Sequence, residues 1–230
     1  MTDRQFRNSV LSVLGEVLIT LSAVIGSYVV YELQISNFSS HREWDSSAKV
    51  LQEEFKTPAK NVAFEGEVVA QIPADRPVSS KPFALMSVPK LWKESVAVPI
   101  FSGTSSKALA KGLGHISGSA LPGQLGNFAV SGHRATYGEP FAKFELLREG
   151  DEVIVDTVEG VFTYSLVADV KVTPEDIWVV EPRPAISELQ GLAPEAQLIT
   201  LITCDPRWSS EKRWIWFGTL KSFVPRVEIS

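Results

Sequence analysis

Three side chains in this sequence have the chemistry for acyl transfer if folding brings them together. Cys204, the only cysteine, closes the apolar alternating run "LITLITC" and precedes the charged loop "DPRWSSEK". His133 closes a second alternating run, "FAVSGH", and precedes "RATYG". Arg213 opens the aromatic run "RWIWFGTL" after a loop of only eight residues. A connection that short keeps the end of one strand beside the start of the next. A thiolate can attack a carbonyl, an imidazole can move the protons, and a guanidinium can hold the oxyanion. Plainer roles compete at each position. A lone cysteine is commonly a small buried apolar residue, a histidine after a strand can cap a turn, and Arg213 can pair with Glu211 or Asp205. Of the other histidines, His41 lies in a polar segment and His115 in the Gly-rich stretch "GLGHISGSALPG".

Other chemistries are excluded by what is missing. The chain has no G-x-S-x-G, H-E-x-x-H, C-x-x-C, Walker or G-x-G-x-x-G word. One cysteine permits neither an internal disulfide nor a multi-cysteine zinc site. The net charge is -5 and no Lys/Arg-rich run occurs, so no nucleic-acid footprint is present.

The elements that must position these residues are strands. From about residue 62 the chain breaks into short runs rich in Val, Ile, Phe, Thr, Tyr and Trp: "EVVAQI", "FALMSV", "SVAVPIF", "NFAVSGH", "DEVIVDTV", "VFTYSLVADVKV", "IWVV", "QLITLIT" and "RWIWFGTL". Pro, Gly, Asp and Ser bound them, as in an all-β sandwich or barrel. A hairpin turn is expected at Glu159–Gly160, and short helices in "SSKALAKGL" and "PFAKFELL". The length of 230 residues suits one mid-sized domain plus an appendage.

The appendage is N-terminal. "VLSVLGEVLITLSAVIGSYVV", Val10–Val30, carries one ionisable group, Glu16. About 20 apolar residues cross the hydrocarbon core. Its Leu, Ile and Val residues, at roughly -0.3 to -0.6 kcal/mol each, outweigh a cost of about +3 kcal/mol for the acid. The run is longer than a signal-peptide core and lacks a clean cleavage site. Arg4 and Arg7 before it favour an inside N-terminus. The expected division is 1–9 cytoplasmic, 10–31 transmembrane anchor, 32–61 stalk with a helical stretch at Ser46–Phe55, and 62–230 extracellular β-domain.

The words "GHISGSALPGQLGNFAVSGHRATYG", "LITLITC" and "KRWIWFG" resemble the sortase family of membrane-anchored cysteine transpeptidases, over about residues 81–220. The family word TLxTC is matched unbroken by Thr200–Cys204, and Gly132–Phe141 is similar to class E sortases of high-GC Gram-positive bacteria. "SGSALPG" replaces the commoner GTALPG, and Trp208 stands where the class often has Tyr. The resemblance implies an eight-stranded β-barrel with short helices. It implies that Cys204 is the nucleophile, His133 the proton carrier and Arg213 the oxyanion holder, on a secreted protein with an LPXTG-like or LAXTG-like C-terminal signal. The acceptor would be an amine of a cell-wall precursor. Tyr137, Thr136 and Thr203 are the positions expected to bind substrate. Tyr137 would favour alanine over proline at the second signal position, since its hydroxyl can accept the N–H that proline lacks. No cofactor is required, and no carboxylate cluster demands calcium or another metal. The alternatives are a pilin-polymerising sortase and a non-catalytic membrane-anchored β-domain that binds cell-wall components. The L,D-transpeptidase word S-H-G-C is absent.

Overall fold

The β-branched and aromatic runs pair into one closed barrel, in the order β1-β2-β3-β4-β7-β8-β6-β5. The strands are β1 (Pro82–Ser87), β2 (Val98–Ser102), β3 (Leu113–His115), β4 (Gly126–Ser131), β5 (Glu152–Asp156), β6 (Gly160–Val172), β7 (Gln197–Asp205) and β8 (Lys212–Pro225). The computed structural model describes residues 3–56, 81–93, 96–193 and 196–226, with the backbone alone for 3–10 and 32–37. The expected strand "EVVAQI" lies outside the described residues.

Two neighbouring pairs are parallel, β2 with β3 and β4 with β7. Parallel pairing puts the C-terminal ends of β4 and β7 at the same rim of the barrel. β7 is buried on both faces, which explains its continuous apolar run. Ile199 and Leu201 face the main core with Phe128, Val130, Tyr164 and Trp216. Leu198 and Ile202 face outward, onto a second core with Val179, Leu189, Ile215 and Phe217. Tyr164 is fully buried, and its hydroxyl accepts the Gly123 N–H at 2.8 Å. That bond anchors the "ALPG" turn to the barrel wall.

The hairpin at Glu159–Gly160 joins β5 to β6, and the two short helical segments fall at α2 (Ser106–Leu109) and a 3-10 turn at Phe144–Leu146. Two details correct the strand list. "IWVV" is a 3-10 turn, Ile177–Val180, lying over the outer face of the barrel. Of its four residues only Val179 is buried, while the side chain of Asn127 donates to the carbonyls of Val179 and Glu181 at 3.1 and 3.0 Å. Tertiary packing overrides β-propensity in so short a run. Conversely, Leu113–His115 pairs as a strand within the Gly-rich connection.

One helix, α1, runs from Asp3 to Lys56 through both the apolar stretch and the stretch read as a stalk. Leu11–Tyr31 is long and apolar enough to cross a membrane, and none of it is buried against the barrel. Its second half carries an apolar stripe at helical spacing, Trp44, Ala48, Leu51 and Phe55, all buried. Ala48, Leu51 and Phe55 pack with Leu85 of β1. Full burial of each large side chain contributes roughly 1.5–3 kcal/mol. Lys111 with Glu43 at 2.8 Å, and Arg226 over the Phe55 ring, pin the same contact.

Candidate active site

The rim where β4 and β7 end gathers the three residues. Ser131 of β4 stands beside Ile202 of β7, so two residues further on His133 falls beside Cys204. The Gly132 N–H donates to the Ile202 carbonyl at 3.0 Å, and the Thr203 hydroxyl donates to the Gly132 carbonyl at 2.8 Å. On the other side of β7, Cys204 is the direct antiparallel partner of Arg213. Side chains of directly opposed residues share a face, with Cβ atoms about 4.5–5.5 Å apart. Period-two alternation carries Leu198 and Ile202 to Cys204 on the outer face. His133, Cys204 and Arg213 thus share one outer face, and all three are half-buried.

The same alternation sends the next residue of each strand to the opposite face, where an ion cluster closes the barrel mouth. Arg134 Nη1 donates to Asp205 Oδ1 at 2.6 Å and Nη2 to Glu145 at 3.0 Å. Lys171 reaches the second Asp205 oxygen at 3.0 Å. Arg134 and Lys171 lie over the Trp214 ring, at 5.0 and 4.2 Å from its centroid. Burial pushes the Asp205 carboxyl up, but hydrogen bonds and charge from Lys171 and Arg134 outweigh it and hold it below the ordinary value. Sequence reasoning passed over Arg134 and Lys171. The signal was available: a charge directly after His133 and another directly after Cys204 must meet once β4 and β7 run parallel.

Asp205 is therefore occupied and does not partner Arg213. The Arg213 guanidinium instead donates to the main-chain carbonyls of Ser210 and Lys212 at 2.9 and 3.0 Å. It rests against its own loop, with its charge free of any acidic side chain among the described residues.

Burial lowers the His133 imidazole below its ordinary value of 6.5. Part of that cover is Tyr137, whose ring centroid is 5.0 Å from that of His133. Tyr137, Gly138 and Glu139 have φ of 52°, 79° and 51°. For the two non-glycine residues that conformation costs roughly 1–2 kcal/mol each. The surroundings must therefore impose it. The Phe141 N–H donates to the His133 carbonyl at 3.0 Å, and the Trp92 indole to the Pro140 carbonyl at 2.7 Å. Arg207, from the loop after Cys204, pairs with Glu139.

Of the residues expected to bind substrate, Tyr137 is 40% exposed and stands beside His133. Thr136 is half-buried on the same turn, its carbonyl accepting the Glu139 N–H at 3.1 Å. Thr203 is 1% exposed and lies on the face opposite Cys204, with its hydroxyl bonded to the Gly132 carbonyl between β4 and β7. His115 sits on β3, buried, with Nε2 2.9 Å from both the Ala120 carbonyl and the Ser119 hydroxyl. It belongs to a cavity of about 210 Å³ lined also by Gln124 and Asn127. That cavity does not include the rim residues.

Known proteins share this fold. The family model described as the Sortase domain matches residues 86–221. Sortase SrtE1 of Streptomyces coelicolor is 33% identical over 224 residues, covering 93% of this chain; the chain spans only 58% of that protein's length. The solved structure of sortase E from Streptomyces avermitilis is 42% identical, with a TM-score of 0.56, over 63% of this chain and 91% of its own. Sortase E1 from Streptomyces coelicolor, solved with a tripeptide in the active site, is 35% identical, with a TM-score of 0.57 and the same coverage. The chain belongs to the sortase family of cysteine transpeptidases, and the class E sortases are among its relatives.

Proposed function

We propose that this chain is a single-pass membrane transpeptidase with its barrel on the outer side. It cleaves an LAXTG- or LPXTG-type sorting signal between Thr and Gly and transfers the protein to an amine of a cell-wall precursor. The observation that carries this reading is the register: Cys204 directly opposite Arg213 on β8, and two residues past a β4–β7 pairing that brings His133 alongside.

The Cys204 thiol passes its proton to His133, the resulting thiolate attacks the Thr carbonyl carbon, and the carbonyl electron pair moves onto oxygen. Arg213 releases the Ser210 and Lys212 carbonyls and donates to that oxyanion. As the C–N bond breaks, His133 protonates the departing Gly amine, leaving a thioester on Cys204. The incoming amine attacks the thioester, His133 takes its proton, and the thiolate leaves. A neutral imidazole, which the burial of His133 favours, suits the second half of the cycle. The apolar Leu11–Tyr31 stretch and the arginines before it support the assigned orientation.

The test uses the full chain in detergent micelles, LAXTG and LPXTG peptides, and a small amine. Mass spectrometry should find a thioester on Cys204 and, with amine, the transpeptidation product. Cys204→Ala should fold and be inert, because no second thiol exists. Residual turnover above about a thousandth of wild type, where removing a nucleophile costs ~10⁶-fold, would sink the assignment. An intact barrel that never cleaves either peptide would favour the cell-wall-binding reading.

A further inference from the structure

The turn beside His133 is braced from an unexpected direction. α1 crosses it after leaving the apolar stretch, and Trp44, 2% exposed, lies on the backbone of Gly138. A Cβ added at Gly138 would stand 2.5 and 2.8 Å from Cζ2 and Cη2 of the Trp44 ring, and 3.1 Å from the Ser40 Cβ. The indole thus covers the centre of the three-residue run with positive φ. Such a run persists only where its surroundings over-determine it. Arg207 holds it from the β7–β8 side through Glu139, and Trp44 holds it from the α1 side.

We infer that the second half of α1 is part of the catalytic scaffold, with Trp44 a positioning residue that holds the Thr136–Pro140 turn, and with it Tyr137 and His133, in working geometry. The inference rests on the catalytic reading of His133 given above. The anchor and the active-site turn then form one continuous piece, since a single helix carries both the apolar stretch and Trp44. Leu51 provides the contrast. It lies on the same docked stripe, 4% exposed, but packs with Ala48, Phe55 and Leu85 of β1 instead of the turn. Trp44 belongs to the main core and Leu51 to a separate small cluster, so kcat and not the unfolding temperature distinguishes the two roles.

The experiment compares Trp44→Ala, Trp44→Phe and Leu51→Ala in the full chain in micelles, reading kcat, KM and thermal unfolding with an LAXTG peptide. Trp44→Ala should lose roughly 10- to 100-fold in kcat, the scale set by small displacements of catalytic groups, with KM changed far less. Trp44→Phe keeps a flat ring on Gly138 and drops an indole N–H that finds no acceptor among the described residues, so it should restore kcat to within about threefold of wild type. Leu51→Ala should lower the unfolding temperature while keeping kcat. A wild-type kcat in Trp44→Ala, or equal loss in Leu51→Ala, overturns the inference. If Trp44→Ala does not fold, Gly138→Ala decides. Its loss should be smaller in a Trp44→Leu background, where the added methyl no longer meets the indole; equal losses in both backgrounds overturn it. His133→Ala separates the two levels. If it is inert while Trp44→Ala is unimpaired, only the scaffold inference fails; if it turns over normally, the catalytic reading fails and the inference with it.

Discussion

Arg134 and Asp205 meet at 2.6 Å one residue beyond His133 and Cys204, Arg134 just past the end of β4 and Asp205 at the end of β7, on the face opposite Cys204. The ion pair and the proposed catalytic pair, His133 and Cys204, are thus two sides of the same two strand ends. Whatever disturbs the first displaces the second.

Arg134→Met should therefore be costly twice. Removing one partner of a buried pair costs about 3–5 kcal/mol. The lower end applies, because Lys171 stays with Asp205. Thermal unfolding should fall by roughly 10 °C, and kcat should fall with it. Lys171 is 47% exposed, so Lys171→Met should cost at most about 1 kcal/mol. Equal unfolding temperatures for wild type and Arg134→Met would mean that the cluster is ornamental.

The cluster also sets the acid limit. The folded Asp205 carboxyl lies below its ordinary value of 3.8, so its contribution is complete above that value. It is lost as pH falls through the lower, folded value. In Asp205→Asn, stability measured by denaturant titration should depend less on pH below about 4 than in wild type. An unchanged slope would refute the assignment.

His133 acts with the same sign in a higher pH window. Burial favours its neutral form, so between the folded value and 6.5 the unfolded chain binds more protons. Stability therefore rises with pH through that window and drops on acidification. The His133 ring signal in NMR should titrate below 6.5, and Tyr137→Ala, which uncovers the ring, should move the midpoint up toward 6.5. A midpoint unmoved by Tyr137→Ala would assign the burial to other neighbours.

Arg213→Lys keeps the charge and loses the planar fork. Its loss should be on the order of 10²-fold in kcat, comparable to an oxyanion-hole donor. His115→Ala is the matched comparison, since it breaks contacts to Ala120 and Ser119 away from the rim. It should reduce the unfolding temperature and spare kcat. An inert but folded His115→Ala would mean that the wrong histidine had been chosen.

Tyr137 tests selectivity. One hydrogen bond that proline cannot make, with crowding of its ring, is worth roughly 1–3 kcal/mol, or about 10- to 150-fold between LAXTG and LPXTG peptides. Comparison of kcat/KM in Tyr137→Phe and Tyr137→Ala separates hydroxyl from shape. If both variants keep the wild-type preference, the discrimination lies elsewhere.

The sequence by itself determined the local facts. Period-two alternation marked β4 and β7, the eight-residue loop placed Arg213 beside Cys204, and the apolar Val10–Val30 run marked a helix long and apolar enough to cross a membrane. These are legible because each depends on residues close in the chain. What only the tertiary structure decided is which distant elements meet. The parallel register of β4 on β7 is a pairing across some seventy residues, and no local pattern encodes it. It sends Arg134 to Asp205, removes Asp205 as a partner for Arg213, and turns Thr203 away from the site. The docking of α1 was hidden for a related reason. Trp44, Ala48, Leu51 and Phe55 form a stripe only when wound at 3.6 residues per turn, within a segment whose overall composition is that of a polar stalk. The surface Trp44 covers, the backbone of Gly138, offers no side chain that a sequence pattern could pair with it.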